Sequence, residues 1–160
     1  MTLIEATDEH FAWMLGGFGA GPRFGLTLPP GGVDEPSTLE LLRRMTGEML
    51  RQYGHGTWLV IERNEVVGLC GYKKPPDDNG TVAIGYGIAA SRRGRGLATC
   101  AVSELLRCAA TEPMIRFMTA ETSIDNLASQ RVLIKTGFKP AGTRIDQEDG
   151  ELIVWRRAIP

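Results

Sequence analysis

The stretch Ser91-Arg92-Arg93-Gly94-Arg95-Gly96-Leu97-Ala98 is where residue types and spacing point most directly to chemistry. Arginines and glycines there lead into a run with helical periodicity. The first turn of a helix carries backbone N–H groups without internal partners, at the positive end of the macrodipole. Glycine lets that backbone approach a ligand with no Cβ in the way. Arginine adds charge. Such a loop can cradle phosphate or pyrophosphate. A plain turn with a solvated arginine face has the same composition. Two nucleotide motifs do not fit: Gly-Lys-Ser/Thr does not occur, and Thr99 stands where a dinucleotide fingerprint needs its third glycine.

A second candidate is Asn126 with Ser129, three residues apart and so on one helix face. Asp125 or Asn126 also suits a helix N-cap. Other chemistries find little support. Cys70, Cys100 and Cys108 form no C-x-x-C, and His10 and His55 are far apart, so neither a metal site nor a disulfide framework is expected. No cysteine has a nearby histidine motif, which argues against a thiol nucleophile.

The elements that must position these residues can be read from periodicity. Residues 2–6 read as a strand. Residues 8–16 read as a helix carrying Phe11, Trp13, Met14 and Leu15. Gly16–Gly32 is a glycine- and proline-rich loop, long enough to suggest function or mobility. Ser37-Thr38-Leu39-Glu40 fits a capping box opening a helix over about 38–53. Residues 57–63 and 65–73 form a hairpin pattern. Residues 81–89 are a strand with Val82, Ile84, Tyr86 and Ile88 on one face. Its other face, Ala83, Gly85, Gly87 and Ala89, is small enough for a ligand or a closely packed helix. A helix begins at Leu97. Residues 115–121 read as a strand, 126–136 as a helix ending at Gly137, and 138–146 with 151–159 as a hairpin about Asp149-Gly150.

The chain has 160 residues, the length of one domain spanning 1–160. At 42% hydrophobic and 23% charged, it is not a mainly disordered chain. A net charge of −1 argues against a dedicated DNA binder. Residues 1–90 carry −4 and residues 91–160 carry +3, so the second part better suits an anionic ligand. The acidic N-terminus is no signal peptide, and no apolar run approaches a membrane span. A soluble, cytoplasmic protein is expected.

Arg93-Gly94-Arg95-Gly96-Leu97-Ala98 resembles the Q/R-x-x-G-x-G/A pattern of the GNAT superfamily of acetyl-CoA-dependent N-acetyltransferases. Ile84-Gly85-Tyr86 is similar to that family's fourth strand. Asn126-Leu127-Ala128-Ser129, Arg131-Val132-Leu133 and Lys135-Thr136-Gly137-Phe138 resemble its N-x-x-S … R-V-L-x-K-x-G-F segment. The N-x-x-S form resembles the branch that includes ribosomal-protein N-terminal acetyltransferases. The resemblance implies an α+β fold: a mixed, mostly antiparallel twisted sheet of roughly six to seven strands flanked by about four helices.

The resemblance also implies roles. Backbone amides from Arg93, Gly94, Arg95, Gly96, Leu97 and Ala98 would hold the pyrophosphate of acetyl-CoA, and amides near Ile88 its pantetheine arm and acetyl carbonyl. Asn126 would contact the CoA arm, and Ser129 would stabilise the departing thiolate. Many members carry a tyrosine in an L-Y-x-x-x-G-F pattern, a place read here as Ile134. Many carry a glutamate before I-G-Y, where this chain has Ala83. The base is then left among Glu121, Asp146, Glu148 and water, with Glu121 the first candidate. The implied activity is direct acetyl transfer to a primary amine, of a small molecule or a protein N-terminus, by a monomer or homodimer without nucleic-acid or membrane partners. The alternative is a non-catalytic acyl-CoA sensor or a degenerate relative. Gly16–Gly32 and the Asp146–Glu151 tip are expected to shape the acceptor pocket.

Overall fold

The computed structural model describes residues 1–19 and 21–160; Ala20, inside the glycine-rich stretch, lies outside them. The strands are β1 (Thr2–Glu5), β2 (Thr57–Glu62), β3 (Glu65–Tyr72), β4 (Thr81–Ile88), β5 (Phe117–Ser123), β6 (Lys139–Asp146) and β7 (Gly150–Ala158). The helices are α1 (Asp8–Met14), α2 (Pro36–Gln52), α3 (Leu97–Ala109) and α4 (Leu127–Lys135). The strands form one seven-stranded sheet in the order β1-β2-β3-β4-β5-β7-β6. Only β4 and β5 run parallel. A parallel pair needs a crossover, and α3 supplies it.

β2 reads Thr-Trp-Leu-Val-Ile with no polar alternation because both its faces are covered. Trp58 and Val60 join a core cluster with Leu105 and Ala101 of α3, while Leu59 and Ile61 pack with Phe11 and Trp13 of α1. Strict period-2 reading fails on β3. Val66 and Leu69 share the α1 side although three residues separate them. The β2–β3 register shifts between Val60 and Ile61, so Val60 pairs with Gly68 and Ile61 with Val66. This bulge inserts one residue and turns the rest of β3 over.

Two local expectations are corrected. The capping box at Ser37 does not form. α2 opens two residues earlier, with Pro36 in its first turn after Glu35 and no side-chain cap. Proline's fixed φ suits that position. A reciprocal box forms on α1 instead: Thr7 Oγ1 accepts from the His10 N–H, and His10 Nδ1 accepts from the Thr7 N–H. The glycine-rich stretch is also tied down. The Trp13 indole donates to the Gly21 carbonyl at 3.0 Å, Thr27 bridges to Glu65, and Leu26 is buried.

Gly68 sits where the bulge meets β4, and a Cβ there would collide with the Gly87 carbonyl. Gly68→Ala should therefore lower unfolding free energy by about 1–3 kcal/mol, the range for overpacking. Gly47, in α2, has only the Arg51 side chain near its Cβ position, at 3.6 Å. Gly47→Ala should stabilise by about 0.5–1 kcal/mol. Urea unfolding of both variants checks the pair.

Candidate active site

β4 pairs with β5 through three residues only, Thr81 with Phe117, Val82 with Met118 and Ala83 with Thr119. Beyond Ala83 the strands part, while β4 continues to Ile88 along β3. The Lys73 N–H donates to the Ala83 carbonyl and the Ala89 N–H to the Val67 carbonyl. Antiparallel partners alternate between bonded and non-bonded pairs. Gly85 and Gly87 therefore bond toward β3, and the N–H and C=O groups of Ile84, Tyr86 and Ile88 point the other way, into the gap beside β5. Interrupted pairing thus presents a row of backbone donors and acceptors.

The loop after β4 continues this polar edge. A short 3₁₀ turn, Ala90–Arg92, leads to Gly94 and Gly96, with φ of 77° and 73°. Gly96 is the N-cap of α3 and no side chain caps the helix. The first bond back into the helix is Cys100 N–H to the Gly96 carbonyl. Leu97 is buried and pins the first turn, so the amides of Leu97, Ala98 and Thr99 stand at a fixed, uncapped helix start. A Cβ at Gly94 or Gly96 would meet nothing of the protein within 4 Å, so the space beyond the loop is open.

The arginines are less available than the sequence suggested. Arg92 makes a bidentate pair with Glu65 at 2.6 and 3.0 Å, and Arg95 reaches Glu62 at 2.8 Å. Both clamp the loop to the β2–β3 hairpin. Arg93 donates from Nε to the Ile88 carbonyl at 3.1 Å, tying the loop to the end of β4. The chain's charge asymmetry is thus partly neutralised across its two halves.

Asn126 caps α4, its Oδ1 accepting from the Ser129 N–H at 3.1 Å. The cap uses the side-chain oxygen; an amide keeps two N–H donors besides. Ser129 Oγ lies 2.6 Å from the Tyr86 hydroxyl, which also approaches the Ser129 carbonyl at 3.2 Å. Tyr86 thus joins β4 to α4 across the gap. Burial pushes its phenol up from the usual tyrosine range, and the Ser129 bond works in the opposite sense. In the L-Y-x-x-x-G-F pattern, counting back from Gly137 puts the tyrosine place at Leu133, one residue before Ile134. Leu133 is fully buried and Ile134 is exposed. α4 carries no tyrosine, and the phenol comes from β4 instead.

Two of the three expected carboxylates, Glu121 and Asp146, are paired with Arg144. Arg144 grips Glu121 at 2.8 and 2.7 Å and holds its carboxyl below the usual range. Asp146 accepts from the Asp149 and Glu148 N–H groups and from Arg144, and is held low chiefly by those two amides. Glu148 sits exposed in the β6–β7 turn. A cavity of about 370 Å³ lies on the small face of β4, with Gly85 and Gly87 in its floor and Leu41, Leu42 and Met45 of α2 in its wall. The small face therefore fronts a cleft. Among the described residues, neither Gly16–Gly32 nor the Asp146–Glu151 tip contributes to the lining of this cavity. Asp34 and Lys73 do, and nothing local in the sequence marks either. Among the described residues no group of His, Cys, Asp and Glu could hold a metal, and no helix is long and apolar enough to cross a membrane.

Residues 2–139 match the family model of the acetyltransferase (GNAT) domain. The chain belongs to the GNAT family. An uncharacterized N-acetyltransferase of Bacillus subtilis, YjdG, is 33% identical over 87 residues, covering 53% of this chain and 52% of that protein. The ribosomal-protein-serine acetyltransferase of Escherichia coli is 26% identical over 91 residues, covering 56% and 51%. The chain thus aligns with about half the length of the curated relatives it matches. Among solved structures, a microcin self-immunity acetyltransferase, MccE, in complex with acetyl-CoA and AMP superposes with a TM-score of 0.73 at 16% identity, covering 99% of this chain and 92% of that one. The aminoglycoside acetyltransferase AAC(6')-Ib in complex with coenzyme A gives 0.70 at 20%, covering 98% and 94%. These likenesses show that this GNAT chain has the fold expected from its sequence: seven strands, mostly antiparallel, with four helices.

The Tyr86–Ser129 contact is testable without substrate. The serine bond favours the ionised phenol, so Ser129→Ala should move the Tyr86 ionisation to higher pH. Tyrosine-labelled NMR titration, with Tyr86→Phe for assignment, reads the shift.

Proposed function

We propose that the chain transfers an acetyl group from acetyl-CoA directly to a primary amine in a ternary complex. The observation that carries this reading is the meeting of two unsatisfied backbone arrays: the β4 edge that β5 abandons after Ala83 and the uncapped start of α3. The residues fit the cosubstrate. Amides from Arg93 to Ala98 suit a pyrophosphate, with open space where Cβ atoms at Gly94 and Gly96 would stand. The edge from Ile84 to Ile88 suits an extended amide-bearing arm, bonded as an added strand would be. With Arg93 occupying the Ile88 carbonyl, the Ile88 N–H is the donor suited to the thioester oxygen, where it would stabilise the oxyanion. Asn126 stands near the same arm.

The chemistry needs a neutral amine on one side and a proton for sulfur on the other. The amine nitrogen attacks the acetyl carbon, a C–N bond forms and the C–S bond breaks. The sulfur takes the Ser129 hydroxyl proton, Ser129 takes the Tyr86 proton, and Tyr86 recovers one from water. The surplus amine proton leaves to water. A serine hydroxyl alone is a poor acid; a phenol is a better one, even with burial holding Tyr86 above its reference value of about 10. The 2.6 Å contact joins the two into one donor. Glu121 is not included, because Arg144 already stabilises its ionised form.

Calorimetry and free-thiol release test the reading. The protein should bind acetyl-CoA, and Gly96→Val should weaken binding by about tenfold or more. Its backbone strain, about 1–2 kcal/mol at positive φ, should appear separately as a lower melting temperature. Ser129→Ala and Tyr86→Phe should each lower kcat by about tenfold or more with little change in acetyl-CoA affinity. The double variant should lose little beyond either single, because the two act as one unit. Wild-type kcat in Ser129→Ala, measured where chemistry limits the rate, would contradict its role. Tight binding without turnover of any amine would make the chain an acyl-CoA sensor.

A further inference from the structure

The cavity on the small face of β4 has a composition that selects among amines. Its α2 wall is mostly apolar, Leu41, Leu42 and Met45 beside one hydroxyl, Thr38, and Leu41 is still 46% exposed. Its floor is the Gly85–Gly87 backbone, on the strand whose edge faces the β5 gap. Two charged side chains line it, Asp34 and Lys73. Asp34 accepts the Glu35 N–H on Oδ1 at 2.7 Å, which fixes the carboxylate. Its Oδ2 overhangs Gly87, 3.9 Å from where a Cβ would be. Lys73 lies over Gly85, its Cε 3.1 Å from that Cβ position. Gly85 and Gly87 are ~7 Å apart along the strand, so the negative group and the lysine side chain stand over different parts of the floor.

From this arrangement we infer that the acceptor is a small primary monoamine on an apolar body, its ammonium drawn to Asp34 and any second cationic group turned away by Lys73. The inference rests on the acetyl-transfer reading for its chemistry, and on the cavity alone for its selectivity. Asp34 lies at the Gly87 end, next to Ile88, where the thioester carbonyl would sit. An ammonium held there is within reach of the acetyl carbon once it gives up a proton. The leucine and methionine wall rewards an aliphatic or aromatic body, and the lining hydroxyls, Thr38, Thr57, Tyr72 and Tyr86, are too few and scattered to pair with a ring of hydroxyls. A polycation would need several carboxylates, and the lining has one. Its second ammonium would instead meet Lys73, so exclusion is by repulsion as well as by missing contacts. The volume of about 370 Å³ stands near the low end of ligand cavities, which run from about 300 to 1,000 Å³.

Calorimetry with two probes at low ionic strength tests this, on the protein with and without bound CoA: 2-phenylethylamine as the apolar monoamine and kanamycin as the polycation. The monoamine should bind at least about tenfold more tightly than kanamycin. Asp34→Asn should weaken the monoamine by about tenfold and leave CoA affinity unchanged. Lys73→Glu should improve kanamycin by about threefold or more while the monoamine changes little. Kanamycin binding as tightly as the monoamine, or Asp34→Asn binding it like wild type, would overturn the proposal. Loss of CoA binding alone would sink the acetyl-transfer reading instead, since the amine arms are read on CoA-free protein too.

Discussion

A strand that loses its hydrogen-bonding partner halfway along must find another or remain solvated. In this chain that strand is β4, whose pairing with β5 ends at Ala83 and Thr119. The rest of the architecture keeps the separation in place. On one side β3 holds β4 through a continuous antiparallel register. On the other, β7 holds β5 along its whole length, from Phe117 to Ser123. Two apolar cores fill the faces, with Val82 and Ile84 buried under α3. The gap is therefore a product of packing on both flanks, and its unpaired amides are available without local unfolding.

Charge has a different part from the one its sequence position suggests. Arg92 and Arg95 steady the loop through Glu65 and Glu62. The carboxylates of β5 and β6 are held by Arg144. The loop then keeps the uncapped helix start with its amides and the guanidinium of Arg93, which is tied to the Ile88 carbonyl. Two acidic groups stand on the small side of the β4–β5 sheet: Asp34, from the segment leading into α2, over Gly87, and Glu121 of β5, whose carboxyl also feels Lys73.

The fold and the glycine loop before α3 were legible because their signals are local. Alternation marks β4, the Gly94–Gly96 spacing marks a left-handed turn before a helix, and an amphipathic stripe marks α3. The Asn126–Ser129 pair was legible for the same reason, and the cap it makes is the one expected. What escaped depends on residues far apart in the chain. The β3 bulge appears only when β3 is set against β2. Tyr86 reads as an apolar strand residue until α4 brings Ser129 to its hydroxyl. The pairing of Glu121 with Arg144 is not visible until β7 brings β6 alongside β5. Asp34 reads as loop composition until Gly87 lies beneath it. Ser37 and Glu40 satisfied a capping pattern that Pro36 pre-empted.

The central claim is that the abandoned edge of β4 and the open start of α3 together form one binding surface for a CoA thioester. Backbone amide chemical shifts followed through a titration with CoA test it most directly. Saturable shifts should concentrate at Gly94 to Thr99 and at Tyr86 and Ile88, while β1 and β6 stay unmoved. Shifts confined to the opposite cleft beside His55 and Cys108, or no saturable shift at all, would contradict it.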